Sequence, residues 1–252
     1  MNSSFFATFI VIDRVTEVHK TIAMYAAPLF HKPIALVVFL ENVGHIAGLK
    51  LPQWVMQVID YVTEEYAKLL LSLLGAYRRY DKVIILEDEQ ANGPMLSKTL
   101  LEASRTHQID VLLLVHGHKE QLVGFRDQTR VGHETFAPLC AAYCEDERVL
   151  DLRMIYGVNC YGYSLTDTWR QMGARAVNGA VGINWFPEPS LSVFLFNWLR
   201  GVPYSEAVRR SNHTANRFWQ HIWKHSSDGT PHAFLLSSRQ VVVGAGDLTI
   251  ES

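Results

Sequence analysis

The most constraining feature of the sequence is an alternation of short apolar segments with longer amphipathic ones. The short segments are almost wholly apolar and rich in β-branched residues, which is typical of strands buried on both faces of a sheet. They are IALVVFLE (34–41), KVIILE (82–87), IDVLLLV (109–115), DLRMIYGV (151–158) and RAVNGAVGI (175–183). Strands that alternate with helices predict an α/β fold, in which helices cover both faces of a mostly parallel sheet.

The segments between these strands are predicted to be helices, and in 51–77 the apolar positions recur at steps of three and four residues. The predicted helices cover 51–77, 93–106, 134–145, 164–173, 190–201 and 205–225. Asn92-Gly93-Pro94 is typical of a helix start. Ser190 is predicted to cap the very apolar helix that stops at Gly201. We expect QLVGF (121–125) to be one arm of a hairpin and RQVVVG (239–244) to be a final edge strand.

Composition excludes several classes of protein. Hydrophobic residues make up 48% of the 252 residues and charged residues 19%, which is ample for a core and excludes a disordered chain. The 23 Lys and Arg residues nearly balance the 25 Asp and Glu residues. Since nucleic-acid-binding domains usually carry a clear basic excess, no nucleic-acid partner is expected.

The cysteines and the N-terminal region predict the compartment. Three cysteines are too few for a disulfide framework in a chain of this length, which favours reduced thiols in the cytoplasm. The apolar run from Phe5 to Ile12 has no basic residue before it and is too short to cross a bilayer. His31-Lys32-Pro33 interrupts the next apolar stretch, so we predict a soluble cytoplasmic protein without stable membrane insertion.

Two of the predicted strands end abruptly in residues that carry chemistry. His116-Gly117 follows the strand at 109–115. Cys160 follows the strand at 151–158, which comes after the predicted helix 134–145. The active crevice of an open parallel sheet lies at the carboxyl ends of its strands. A thiolate nucleophile needs a neighbouring base or cation, most often a histidine. If the two strands are adjacent, His116 and Cys160 form a candidate catalytic dyad, and glycine beside each lets backbone N–H groups approach a substrate carbonyl.

These residues resemble the caspase-like cysteine peptidases (clan CD), which include caspases, metacaspases, gingipain, clostripain and CHAT-domain proteases. The resemblance covers about residues 34–225: the order of strands and helices, His-Gly after the third strand, Cys after the fourth, and the tail AVNGAVGINWFPEPSLSVFLFNWLRGVPYSEAV (176–208). The separation of His116 from Cys160 is close to the roughly 50 residues of caspases. The caspase pattern Q-A-C-[RQG]-G becomes Val158-Asn159-Cys160-Tyr161-Gly162, which retains Cys and the second Gly.

The resemblance implies a function and a set of roles. It implies a cysteine endopeptidase domain over residues 34–252, preceded by an N-terminal extension of residues 1–33. His116 would be the general base and Cys160 the nucleophile, while the N–H groups of Gly117 and Cys160 would form the oxyanion hole. Candidate residues of the substrate pocket follow the first strand and the strand after the cysteine; they are Glu41, His45, Asn184 and Trp185.

Glu41 would select a basic side chain and Trp185 would form an apolar wall, although a solvated loop glutamate is the alternative interpretation. The short segment between Cys160 and Arg175 is nearly filled by a predicted crossover helix, and a crossover needs about 10–12 residues. We therefore expect no cleavable linker there and a single uncut chain. The expected partner is a protein or peptide substrate.

Other interpretations remain open at the level of sequence. The chain would alternatively be a catalytically inactive relative that keeps the fold as a binding or scaffold module. His118 is the nearest substitute for His116 as base, and Cys140 and Cys144 are interpreted as ordinary buried thiols of a helix. No cofactor or metal is expected, because the sequence has no nucleotide-binding glycine loop, no C-x-x-C pair and no H-E-x-x-H motif. His221 and His225 lack the glutamate of that last motif.

Overall fold

Strands of the described part of the chain form a central sheet. The structure is a computed structural model that describes residues 32–41, 53–125, 128–185, 187–223 and 228–252; in the first helix, side chains are described from residue 63 onward. The strands of the described residues are β1 (Ile34–Leu40), β2 (Lys82–Leu86), β3 (Gln108–Leu114), β4 (His116–His118), β5 (Gln121–Val123), β6 (Arg130–Val131), β7 (Leu152–Gly157), β8 (Ala176–Ala180) and β9 (Gln240–Gly244). Six of them form the main sheet in the order β2-β1-β3-β7-β8-β9.

The main sheet confirms the predicted α/β architecture. β1 pairs in parallel with both β2 and β3, β7 pairs in parallel with β3 and β8, and β9 is an antiparallel edge strand beside β8. The N-terminal extension lies outside the described residues except for its last two positions, so the domain boundary at residues 33/34 stays a prediction.

Helices connect the strands and cover both faces of the sheet. They are α1 (Gln53–Leu74), α2 (Ala76–Arg79), α3 (Gly93–Ser104), α4 (His133–Glu145), α5 (Thr166–Gln171), α6 (Ser190–Trp198), α7 (Tyr204–Trp219) and α8 (Ala233–Ser237). None of the helices in the described part of the chain is both long and apolar enough to span a membrane. α8 has no counterpart among the predicted elements.

Several predicted helix boundaries are wrong, among them the end of the helix predicted over 190–201, which stops at Trp198. The first helix stops at Leu74 because Gly75 has a left-handed φ of 87°, and α7 ends at Trp219 rather than near residue 225. Ser190 does not cap α6: Pro189 holds the cap position and Ser190 is the first helical residue. The backbone carbonyl of Ser190 instead accepts a hydrogen bond from the hydroxyl of Tyr156 at 3.2 Å, so it ties α6 to the sheet.

Two apolar layers hold the helices on the sheet. Side chains alternate between the faces of a strand, so Leu36, Val38 and Leu40 of β1 join the layer that also contains Leu71 of α1, Phe194 of α6 and Val208 of α7. Val37 and Phe39 enter the opposite layer, with Leu96 of α3, Phe136 of α4 and Trp169 of α5. The strands are apolar throughout because both of their faces are covered.

A small antiparallel sheet lies directly beyond the end of β3. β4 pairs with β5, and β5 pairs with β6. This confirms the predicted hairpin around residues 121–125 and shows that its first arm contains His116, which the sequence analysis placed at a strand end.

Candidate active site

Four of the predicted site residues follow four neighbouring strands. Glu41 follows β1, His116 follows β3 after one residue, Cys160 lies beyond the end of β7, and Asn184 lies beyond the end of β8. The strands β1, β3, β7 and β8 are consecutive and parallel in the sheet. Their carboxyl ends therefore meet at one edge, which is the expected position of a crevice in such a sheet.

The His116-Gly117 segment packs on the loop that carries Cys160. A β-carbon built on Gly117 would overlap the backbone carbonyl oxygen of Cys160 and lie 3.0 Å from Nδ2 of Asn159. Only glycine permits this approach of one backbone to the other. The structure thus brings the two candidate catalytic segments into contact.

The register of the hairpin leaves the N–H of Gly117 outside the ladder. β4 pairs His116 with Val123, Gly117 with Leu122 and His118 with Gln121. Opposed pairs alternate between hydrogen-bonded and non-hydrogen-bonded in an antiparallel ladder, and the pair that closes a two-residue turn is hydrogen-bonded. Gly117 is therefore in a non-hydrogen-bonded pair, and its N–H is directed away from β5.

A sharp turn presents Cys160. The N–H of Val158 still donates to the carbonyl of Leu113 on β3 at 3.2 Å, but Tyr161 has left-handed backbone angles, with φ 54° and ψ 22°. That conformation is costly for a bulky side chain, about 1–3 kcal/mol, and it is common at functional sites. The N–H of Tyr161 donates to the carbonyl of Gly182 at 2.7 Å, which holds the turn in place.

The thiol of Cys160 is half-buried. Its Sγ donates to the backbone carbonyl of Asn184 at 3.5 Å, and burial raises the pKa of the thiol. The sequence predicts that a histidine or a cation lowers this pKa, but in the structure desolvation of the thiolate dominates. The side chain of Asn184 fixes the same loop, since its Nδ2 donates to the carbonyl of Val158 at 2.6 Å.

The predicted pocket residues differ in burial and position. Glu41 is only 6% exposed and its N–H donates to the carbonyl of Leu114 at 3.1 Å, so it is not a solvated loop residue. His45 lies outside the described residues. Asn184 and Trp185 lie side by side on the loop that follows β8, and Asn184 is the one that touches the thiol.

Helix α8 supplies site residues that sequence reasoning missed. The ring of Trp185 lies over that of Phe234, with centroids 3.9 Å apart, and its backbone N–H donates to the hydroxyl of Ser238 at 3.5 Å. The ring of Trp223 also contacts Phe234, edge to face, with centroids 5.0 Å apart. The helix Ala233–Ser237 is only five residues long, which is too short to give a clear periodic signal, so only the fold identifies Phe234 as a wall of the Trp185 region.

The remaining candidates, His118, Cys140 and Cys144, differ in their exposure. His118 is exposed at the end of β4. Cys140 is half-buried on α4, where its Sγ lies 3.8 Å from the carbonyl of Thr168. Cys144 is exposed, so the prediction that both of these thiols are buried is wrong for Cys144.

Comparison with known proteins identifies the fold. No family model matches the chain, and no curated protein is similar to it in sequence. Solved structures do resemble it: caspase-1 from Spodoptera frugiperda has a TM-score of 0.50 at 10% identity, over 85% of this chain and 87% of the caspase chain. The fold is caspase-like. This confirms the resemblance drawn from the sequence as far as the fold is concerned.

The Arg-specific cysteine proteinase gingipain R shows the same caspase-like fold. The TM-score is 0.52 at 12% identity, and the match covers 86% of this chain but 47% of the gingipain chain. The chain therefore spans about half the length of that relative. At such identities the caspase-like fold is shared, while the activity of this chain has to be argued from its own site.

Proposed function

We propose that the protein is a cysteine endopeptidase that hydrolyses peptide bonds through a His116–Cys160 dyad. The observation that carries the proposal is the contact between the His116-Gly117 segment and the Cys160 loop, at the carboxyl ends of the adjacent strands β3 and β7. The caspase-like fold and its cysteine peptidase relatives support the same reaction class.

The proposed reaction starts from a neutral thiol. Because burial raises the pKa of Cys160, a preformed thiolate–imidazolium pair is disfavoured, and general-base catalysis by His116 fits better. His116 takes the thiol proton as Sγ bonds to the scissile carbonyl carbon. The N–H groups of Gly117 and Cys160 donate hydrogen bonds to the oxyanion that forms.

Collapse of this intermediate breaks the C–N bond, and the imidazolium of His116 gives its proton to the leaving amine. A thioester to Cys160 remains. Water then attacks the thioester, with His116 again as base, and releases the new carboxyl terminus and the free thiol. The reaction needs no cofactor and no metal.

The substrate is proposed to be a protein or peptide with a basic side chain at the cleavage site. Glu41 supports this because its carboxylate is buried at the edge of the sheet that carries the dyad. Trp185, backed by Phe234, would form an apolar wall of the pocket, and His45 and Asn184 would complete it. We place this activity in the cytoplasm, where the thiols stay reduced.

The alternative function is that of an inactive scaffold. It is favoured by the hydrogen bond of the Cys160 thiol to the carbonyl of Asn184 and by the burial that raises the pKa of this thiol. Cys160→Ala and His116→Ala decide between the two, with Cys144→Ala as the matched control because Cys144 is exposed. A positional-scanning peptide library supplies the substrates, and an acyloxymethyl-ketone peptide reports the reactive thiol.

We expect the Cys160 and His116 variants to lose hydrolysis by at least about 10³-fold while the control retains it. The probe should label Cys160 of the wild-type protein. Full hydrolysis by Cys160→Ala, or a folded wild-type protein that neither cleaves any library member nor takes up the probe, would show that the chain is not a peptidase of this kind.

A further inference from the structure

We propose that Asn159 is a positioning residue for the candidate active site: its carboxamide holds the backbones of Gly117 and Cys160 in the arrangement that the oxyanion hole requires. This inference rests on the proposed function and assigns a role to a residue that differs from the Ala of the caspase pattern.

Asn159 is an amide buried beside the nucleophile. It is 1% exposed, and its Nδ2 donates to the backbone carbonyl of Cys160 at 3.4 Å. The carbonyl of Cys160 belongs to the peptide unit that leads into the left-handed Tyr161. The N–H of Cys160 belongs to the preceding unit, which starts at Asn159 itself. The carboxamide therefore restrains the peptide unit after Cys160 through its hydrogen bond, and the backbone of Asn159 begins the unit before it.

Three glycines leave room for this carboxamide. A β-carbon on Gly117 would lie 3.0 Å from Nδ2, one on Gly162 would lie 3.2 Å from both Nδ2 and Oδ1, and one on Gly157 would overlap Oδ1. These glycines come from the start of β4, the end of β7 and the turn after Cys160. The amide thus fills the point at which the three segments of the site converge.

The amide is retained although it is not fully satisfied. Within the described part of the chain, the buried Oδ1 of Asn159 has no hydrogen-bond partner. A buried acceptor without a partner destabilises a fold, and an apolar residue of similar size would avoid that cost. Destabilising groups of this kind, such as a buried acceptor without a partner, are expected at functional sites.

The expected consequence is confined to the transition state. Oxyanion donors act at 2.7–3.1 Å from the developing charge, and a shift of a fraction of an ångström weakens them. The oxyanion does not exist in the ground state, so loss of the Asn159 restraint should lower kcat and leave KM nearly unchanged.

The test compares two reactions of Cys160 in the full chain. A peptide aldehyde forms a hemithioacetal: the S–C bond forms, and the carbonyl oxygen takes up negative charge or the thiol proton in the oxyanion hole. Iodoacetamide alkylates the same sulfur by displacing iodide and develops no oxyanion. For Asn159→Ala we expect kcat and aldehyde affinity to fall together by about 10- to 100-fold, while KM and the rate of alkylation stay within about threefold.

Asn159→Leu is the second variant, because it keeps the size and shape of the side chain and removes the N–H donor without burying a charge. It should reproduce the loss of kcat and of aldehyde affinity without lowering the thermal unfolding temperature. Unchanged kcat in either folded variant, or a parallel loss of alkylation, would overturn the positioning role.

The outcome is separable from that of the proposed function. If the wild-type protein binds the aldehyde and depends on Cys160, but the Asn159 variants match it, only the positioning role fails. If the wild-type protein neither binds the aldehyde nor cleaves peptides, the proposed function itself fails.

Discussion

The two ends of the same pair of strands, β3 and β7, use polar residues in opposite ways. Near the amino ends, Asp110 of β3 and Arg153 of β7 form an ion pair that is fully buried, with two hydrogen bonds of 2.9 Å. Beyond the carboxyl ends lie His116 and Cys160, both half-buried.

The amino end is saturated with hydrogen bonds. The hydroxyl of Tyr80 donates to Asp110 at 2.9 Å and accepts from the indole N–H of Trp198 at 2.8 Å. Arg153 also donates to the carbonyl of Ser252 at 2.8 Å, which ties the last described residues to the sheet. Asp110 and Arg153 are tolerated as buried charges because each is paired and hydrogen-bonded.

The carboxyl end lacks this saturation. The thiol of Cys160 makes one long hydrogen bond, Asn159 buries an acceptor that has no partner in the described part of the chain, and Tyr161 has a left-handed backbone. Fully paired polar groups stabilise the amino ends of β3 and β7. The strained and partly hydrogen-bonded carboxyl ends are where a catalytic site is expected.

The largest expected effect separates the two ends. Arg153→Met leaves the carboxylate of Asp110 buried without its ion-pair partner, so the free energy of unfolding should fall by about 3–5 kcal/mol. Chemical denaturation measures it. Arg148→Met is the control, because the Arg148–Asp146 pair is exposed and its loss should change the free energy of unfolding little. A fall in kcat per folded Arg153→Met molecule would show that the amino ends of β3 and β7 contribute to catalysis as well as to stability.

The second prediction concerns the charge at the carboxyl end. Glu41→Gln removes the buried carboxylate but keeps its size, so kcat/KM for peptides with Arg or Lys at the cleavage site should fall by about tenfold or more. Cleavage of peptides with neutral residues there should change little. Glu89→Gln, at an exposed position, is the control. An equal loss for basic and neutral peptides would remove Glu41 from the specificity pocket.

The third prediction follows from the raised pKa of Cys160. Burial favours the neutral thiol, so the thiolate should form only at a pH above the midpoint of about 8.5 for free cysteine. The rate of iodoacetamide alkylation against pH measures this midpoint, in a Cys140→Ser, Cys144→Ser background. His116→Ala should leave it nearly unchanged. A midpoint well below 8.5 that rises in His116→Ala would instead indicate a preformed ion pair.

The last prediction is that the active protein is not cleaved between Cys160 and Arg175. The segment after Cys160 consists of the turn Gly162–Leu165 and the helix α5, which leads directly into β8, so no spare linker lies between Cys160 and Arg175. The intact mass of active protein should therefore show one continuous chain across this segment. Activity that appears only after cleavage between these two residues would contradict the prediction.

Much of the fold was predictable because its signals are local. The buried strands were recognisable from short, almost wholly apolar segments, and the hairpin at 121–125 and the edge strand at 239–244 lie where the sequence predicts them. Helix ends were less predictable: Pro189 rather than Ser190 holds the cap of α6, and Gly75 ends α1 early. Several residues near a helix end compete for the same backbone groups, and tertiary contacts choose among them.

By itself, the sequence determined the α/β architecture and put His116-Gly117 and Cys160 at strand ends, because hydrophobic period and chain order are properties of neighbouring residues. Only the tertiary structure decided that β3 and β7 are adjacent, that Phe234 backs Trp185, and that three glycines enclose Asn159. It also decided how far Cys160 is buried, and burial raises the pKa of its thiol. Each of these depends on contacts between segments far apart in the chain, which no local pattern records.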